Sequence, residues 1–235
     1  MPPPRGRRAG ASVCALIEGI ATGITLRSTG QTVVVIDVGL AAEEVAALLV
    51  GALLSDGGIT VRLTEVEAYA GSGDPASHAW RGPRPATAAL FGAPGTLYCY
   101  RSHGLHICGN LVCGSTGGGS AVLFRAGEVV DGLALARARR PGVSETALAR
   151  GPGNLGRVFG WSLADSGRPV VLGSAADRPD NAVLLNPGAA VPVATGPRVG
   201  VSVAYQRPWR FWADGDRTVS AYRPSPRIVP GRLDW

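Results

Sequence analysis

The alternation of apolar and polar positions is sharpest between Ile59 and Tyr69. Ile59, Val61 and Leu63 fall on one face of an extended chain, and the same count continued puts Glu65, Glu67 and Tyr69 on that face. "ITVRLTEVEAY" is therefore expected to be a strand whose apolar face ends in two carboxylates and a phenol. Upstream, "QTVVVIDVG" reads as a strand and "LAAEEVAALLVGALL" as a helix, closed by the turn "SDGG". Downstream, "AGSGDPASHAWRGPRPAT" has no period and reads as a long loop carrying His78 and Arg81. "GTLYCYRSHGLHICGNLVCG" reads as a hairpin with its tip at Ser102, His103 and Gly104. Tyr98 and Tyr100 share a face of its first run, and His106, Cys108 and Asn110 share a face of its second. "SAVLFRAG" is a short strand with Leu123 and Arg125 together. "EVVDGLALARARR" reads as a helix with acids early and arginines late, as the helix dipole favours. "RGPGNLGRVFGW" is a glycine-rich turn opening a short helix, and "RVGVSVAYQRPWRFW" a late strand.

No repeat or linker divides the chain, so a single domain is expected over residues 31–235. A basic N-terminal arm and lead-in, residues 1–30, precedes it, beginning "MPPPRGRRAG". With 235 residues, 46% of them hydrophobic, a sizeable core is available, and the many Gly and Pro residues suit an α/β or mainly β domain rich in turns. The formal net charge is +6 and every one of the 23 basic residues is Arg. The excess fits a phosphate-rich partner, and equally fits a bias in composition. The lack of Lys excludes lysine Schiff-base chemistry, leaving only the N-terminal amine for such a role. Four cysteines without CxxC spacing point to a reducing, cytoplasmic setting. The most apolar region, residues 33–54, is interrupted by Asp37, Glu43 and Glu44, so no spanning helix and no membrane partner is expected. Residues 1–26 imitate a secretion signal, but Glu18 interrupts the apolar stretch and no clear A-x-A site follows.

Four constellations carry chemistry. A carboxylate at the end of an apolar face loses water, which raises its pKa and suits Glu65 or Glu67 to general-base work; the same pattern arises when a strand leaves the core with its acids solvated or paired to Arg. Cys99, His103, His106, Cys108 and Cys113 form a group of soft ligands, yet their spacing is not that of a zinc site, and core cysteines in a hairpin explain them as well. "GPGNLG" offers backbone N–H groups to a phosphate without matching a nucleotide-binding fingerprint. Tyr69, Tyr98, Tyr100 and His78 are either core aromatics or, near a carboxylate and Arg125, a stacking site for a planar heterocycle.

Together "EVEAYAGSGDPASHAWRG", "FGAPGTLYCYRSHGLHICGN", "AVLFRA", "RGPGNL" and "RVGVSVAYQRPWRF" resemble the alkyladenine (3-methyladenine) DNA glycosylase family in order and approximate spacing, over roughly residues 63–211. The resemblance implies one α/β (α+β) domain, a curved antiparallel sheet with packed helices. It implies a monomeric, monofunctional enzyme that flips alkylated or deaminated purines out of duplex DNA and hydrolyses their N-glycosidic bond, with no metal or other cofactor. Glu67 matches the family's general base and Arg125 the residue that helps hold the attacking water. Tyr69, His78 and Tyr100 match the walls around the flipped base, His78 also a donor to its edge, and Asn110 the residue that keeps guanine out. His103 stands where the family usually has a wedging tyrosine, with Leu105 beside it. Asn154 stands where a lysine is common, so Arg81, Arg84, Arg101 and Arg150 are the candidates for phosphate contacts. The alternatives are a non-catalytic lesion-binding module on the same fold and a zinc hydrolase built on Cys99, His103, His106 and Cys113.

Overall fold

The computed structural model of the chain describes residues 26–28, 31–33, 36–173 and 179–228. Most of the expected N-terminal arm, residues 1–25, lies outside the described residues. β1 (Leu26–Ser28) and β2 (Gln31–Val33) pair as a separate two-stranded sheet, so within the stretch expected as one long strand only its first three residues are described as such.

α1 (Ala42–Leu49) opens with Glu43 and Glu44 in its first turn, where the helix dipole favours acids, and buries Val45, Ala46 and Leu49. It is shorter than the apolar run suggests. Gly51 turns the chain at φ 91°, and "LLSD" becomes strand β3 (Leu53–Asp56). Gly57 and Gly58, at φ 54° and 79°, then make the two-residue turn that folds β3 against β4 (Ile59–Ala70), because two successive positive φ angles match the twist of a hairpin.

β5 (Leu97–Ser102) and β6 (His106–Cys113) form the expected hairpin. β7 is longer than the sequence suggests, Ser120–Asp131, and takes in residues expected to begin a helix. β4 supplies the reason: it offers twelve residues of backbone to pair with, placing Val129 opposite Val61 and Glu128 opposite Arg62, where the two charges meet at 2.8 Å. The helix begins only after Gly132, as α2 (Leu133–Arg139), followed by α3 (Glu145–Leu148), β8 (Ala149–Arg150) and α4 (Pro152–Phe159). Pro152 at the start of α4 and Gly160 at φ 73° beyond its end delimit that helix as the sequence predicts. β9 (Val170–Val171), β10 (Val183–Asn186), β11 (Val193–Gly196) and β12 (Arg210–Ala213) complete the main sheet. The expected late strand is thus confined to its last part, and residues 197–209 run irregularly across the molecule.

The main sheet has ten strands in the order β5-β6-β7-β4-β3-β10-β9, with β12 pairing both β4 and β11, and β8 pairing β7. All pairings are antiparallel except β9 with β10. α1 and α4 pack on one face. Val45 and Leu49 of α1 and Leu155, Val158 and Phe159 of α4 meet Leu63, Val66, Leu111, Val122 and Phe124 of the sheet in the principal core. α4 lies so close to β6 that a Cβ at Gly156 would sit 2.0 Å from the Ile107 carbonyl oxygen. A second, smaller cluster covers the other face, where Ala79 and Leu90 pack on Tyr98, Val112 and Ala121.

One irregularity decides where the polar residues of β4 go. Ile59, Val61 and Leu63 enter the principal core, but so do Val66 and Ala68, which are out of phase with them. Between these runs the register with β7 shifts at Glu65. Thr64 and Glu65 both turn away from the core, Thr64 to the Thr218 hydroxyl at 2.8 Å and Glu65 to Ser220. A β-bulge of this kind exchanges the two faces of a strand. The apolar face does not run on into the carboxylates; Glu65, Glu67 and Tyr69 belong to the opposite face of the sheet.

Candidate active site

Glu65 and Glu67 are both wholly buried, and their surroundings differ. Glu65 is saturated. Its Oε1 accepts from Arg125 Nε (2.8 Å), Arg210 Nε (2.7 Å) and Ser220 Oγ (2.9 Å), and its Oε2 from the Ser220 backbone N–H (2.7 Å). Burial works against its charge, but the guanidinium groups of Arg125 and Arg210 outweigh burial and hold its carboxyl below the usual range. Glu67 has three donors: the Tyr69 hydroxyl at 2.9 Å and Arg125 Nη1 at 3.3 Å on Oε2, and the Val199 backbone N–H at 2.7 Å on Oε1. A carboxylate has about four acceptor positions. The free one is on Oε1, so Glu67, with three donors, retains room for one further donor, while Glu65 already accepts four.

Arg125 lies on β7 and bridges the two acids, with Ser220 Oγ at 3.4 Å from its remaining terminal nitrogen. Burial works against its charge, yet Glu67 and Glu65 raise its pKa further, so it stays a cation at any ordinary pH.

Beyond Tyr69 opens a cavity of about 190 Å³ lined by Tyr69, Ser77, His78, Tyr98, Tyr100 and Asn110 with Ala76, Leu90, Ala121 and Val201. β5 brings Tyr98 and Tyr100 to it by alternation, with rings 5.9 Å apart and inclined by 20°. Asn110 stands opposite Tyr98 across the hairpin and donates to its carbonyl at 3.0 Å. His78 stands edge-on to Tyr100 with centroids at 4.6 Å, and its Nδ1 is 3.1 Å from the Tyr98 hydroxyl. Burial lowers the pKa of His78, so its ring is neutral near pH 7. Burial also pushes the Tyr98 phenol up to about 12, and burial followed by the charge of Glu67 holds the Tyr69 phenol well above its usual value. All three side chains therefore meet the cavity uncharged.

The structure brings Glu67, Arg125, Tyr69, His78, Tyr100 and Asn110 into one region. His103 and Leu105 are elsewhere, at the exposed hairpin tip. His103 adopts φ 49° and its Nδ1 lies 3.0 Å from Ser102 Oγ, while Leu105 is 78% exposed. Arg84 and Arg101 border an open cavity of about 690 Å³ behind Tyr100, and Arg81 and Arg84 border another of about 450 Å³ beside His78. Arg150 is separate from these. With Arg217 and Arg223 it lines a cavity of about 620 Å³ on the far side of Arg125. Among the described residues no group of three or more His, Cys, Asp or Glu is disposed to hold a metal ion; Cys99 and Cys113 face the principal core, and His103 and His106 are exposed. No helix among them is long and apolar enough to cross a membrane.

Sequence reasoning missed Asp74, Arg198, Arg210 and Ser220. The signal for Arg210 was its place in "RPWRFW", which puts it directly across from Glu67 once β12 pairs with β4. Asp74, Arg198 and Ser220 sit in irregular segments and give no periodic signal.

A family model described as methylpurine-DNA glycosylase (MPG) matches residues 37–217, somewhat more than the blocks of resemblance cover. Relatives named "Putative 3-methyladenine DNA glycosylase" share this sequence widely. The Frankia casuarinae protein is 47% identical over 192 residues, 78% of this chain and 89% of its own length. The Cutibacterium acnes protein is 48% identical over 189 residues, 80% of this chain and 99% of its own length. The Nocardia farcinica protein is 49% identical over 192 residues, 79% of this chain and 89% of its own length.

Proposed function

The chain belongs to the methylpurine-DNA glycosylase family, and from that premise we propose that it excises damaged purines of the 3-methyladenine class from duplex DNA by hydrolysis. The observation that carries the proposal is the placing of one buried, incompletely hydrogen-bonded carboxylate, Glu67, directly behind an aromatic cavity. A base in the duplex is out of reach of such a group, so the nucleotide must be extruded, at a cost of a few kcal/mol that is lower for damaged pairs. Tyr69, Tyr100 and His78 then stack the base, each contact returning roughly 1–3 kcal/mol. Asn110 stands in the cavity wall, where it would reject the exocyclic amine of guanine.

A water donating to the free position on Glu67 Oε1 attacks the sugar C1′. The bond from C1′ to the purine nitrogen breaks with its electron pair passing to the base, and Glu67 takes the proton of the water. Arg125 pairs with the Glu67 carboxylate at 3.3 Å and orients it, and the carboxylate would stabilise positive charge developing on the sugar. Without a lysine, strand scission after base loss has no side-chain amine, and an abasic site is the product. Arg81, Arg84 and Arg101, which border the cavities next to the base cavity, would hold the flanking phosphates, with Arg150 gripping the backbone from the other side; His103 and Leu105 at the hairpin tip would enter the gap left by the base. In this reading the protein acts as a monomer in the cytoplasm.

The test is single-turnover excision from duplexes containing hypoxanthine or ethenoadenine, and from methylated DNA, with wild type and Glu67→Gln, each with and without alkali. Alkali-dependent cleavage lost in Glu67→Gln is the expected result. Tight lesion binding without excision by wild type would replace this reading with that of a non-catalytic binding module.

A further inference from the structure

Behind Tyr69, on the side away from the cavity, stands a column of alternating cations and rings. Arg198 lies with its guanidinium carbon 4.6 Å from the centroid of the Tyr69 ring and 5.2 Å from that of Trp209, and Arg207 lies 4.6 Å from the Trp209 centroid. Arg198 is 1% exposed, the largest wholly buried side chain among the described residues. Its terminal nitrogens donate to the Ala68 carbonyl at 3.0 Å, to both oxygens of Asp74 and to the Ala204 carbonyl at 3.3 Å, while Nε finds no acceptor. Asp74 is equally buried. Beyond pairing with Arg198 it accepts from the backbone N–H groups of Ala76 and, through its carbonyl, Ser77, the turn that presents His78. Burying such a pair is expensive in desolvation, and apolar side chains of the same volume would fill the space at less cost. The arrangement therefore calls for a reason beyond stability.

We propose that Arg198 is a positioning residue for the base cavity and that its balance with Asp74 sets how the cavity weighs a positively charged purine against a neutral one. The inference rests on the reading of Tyr69 as a wall for the flipped base. The guanidinium plane fixes the Tyr69 ring from behind, the bidentate pair with Asp74 fixes the turn that carries His78, and the next residue, Val199, holds Glu67. Both walls and the carboxylate are thus set from one buried point. A cation against the back of an aromatic ring also draws the ring's negative face toward itself, leaving the front face less attractive to a second cation. Asp74 offsets that effect, so removing either partner changes the charge behind the ring in opposite senses.

The test is the enzyme-concentration dependence of single-turnover excision, with duplexes containing 7-methylguanine, whose base is cationic, or hypoxanthine, whose base is neutral. The quantity read is the half-saturating concentration for hypoxanthine divided by that for 7-methylguanine. Arg198→Met raises this ratio and Asp74→Asn lowers it, each by about fivefold, the size expected for one charge acting across a ring in a partly solvated interior. Arg198→Lys keeps the charge without the plane, so the ratio stays that of wild type while both half-saturating concentrations rise. A ratio unchanged in Arg198→Met and Asp74→Asn, or shifted in the same direction by both, overturns the proposal and leaves Arg198 a structural residue. Should Arg198→Met fail to fold, the near-isosteric Asp74→Asn decides alone, and an unchanged ratio there overturns it. Wild type that favours neither lesion over undamaged DNA would overturn the glycosylase reading and this inference with it.

Discussion

Glu65 and Glu67 stand two residues apart on one strand and share Arg125, yet they perform different work. Glu65 is the anchor that neutralises Arg125 and Arg210. Glu65→Gln strips the charge from a site holding two buried cations and is expected to cost about 3–5 kcal/mol in a denaturant titration. Because folding lowers its pKa, its stabilisation is complete above the usual carboxyl value of 4.5 and disappears as pH falls through the lower folded value. Melting temperatures measured from pH 6 downward should accordingly drop for wild type in the acid range and drop less for Glu65→Gln. Tyr69 joins the cavity to Glu67 through its hydroxyl. Tyr69→Phe keeps the ring and deletes one hydrogen bond to a charged group, a loss of about 1.5–3 kcal/mol. The maximal single-turnover rate should therefore fall roughly ten- to a hundredfold with little change in half-saturating concentration.

At the scale of elements, the hairpin and α4 were legible because their signals are local: alternation around a tip, proline at a helix start, glycine after its end. The site's long loop and its aromatic face were legible for the same reason. The bulge in β4 was not. Strict alternation put Glu65 and Glu67 on the face of Ile59, Val61 and Leu63, and only pairing with β7 reveals that the phase changes between Leu63 and Val66. The boundary after Arg125 was misplaced for a related cause: Glu128 and Asp131 have the look of a helix start until Arg62 and the edge of β4 claim them for a strand. Residues 197–209 are rich in Val and aromatics and read as a strand, but Arg198 has to reach Asp74 and Val199 has to reach Glu67, which a paired strand there would prevent. Close packing of α4 on β6 gives a test of this level. Gly156→Ala drives a Cβ into the Ile107 carbonyl and should cost at least about 1–3 kcal/mol, read as a lower denaturation midpoint with an unchanged slope.

On the proposed reading, DNA would meet arginines on two sides of the site, Arg81, Arg84 and Arg101 beside the cavities next to His78 and Arg150 beyond Arg125, and the exposed hairpin tip at Leu105. Arg81, Arg84 and Arg101 are exposed and tied into no ion pair among the described residues, so their cationic charge is available to phosphates. Changing each to Ser should reduce the slope of log affinity against log salt by about one per residue, alike for damaged and undamaged duplexes. The central claim, that Glu67 is the base that activates water, is tested most directly by one pairing of measurements on Glu67→Gln: single-turnover excision of hypoxanthine and lesion binding to the same duplex. The account predicts loss of excision with lesion affinity within a few fold of wild type. Excision that survives the substitution at a comparable rate would contradict it, and would move the search for the base away from β4.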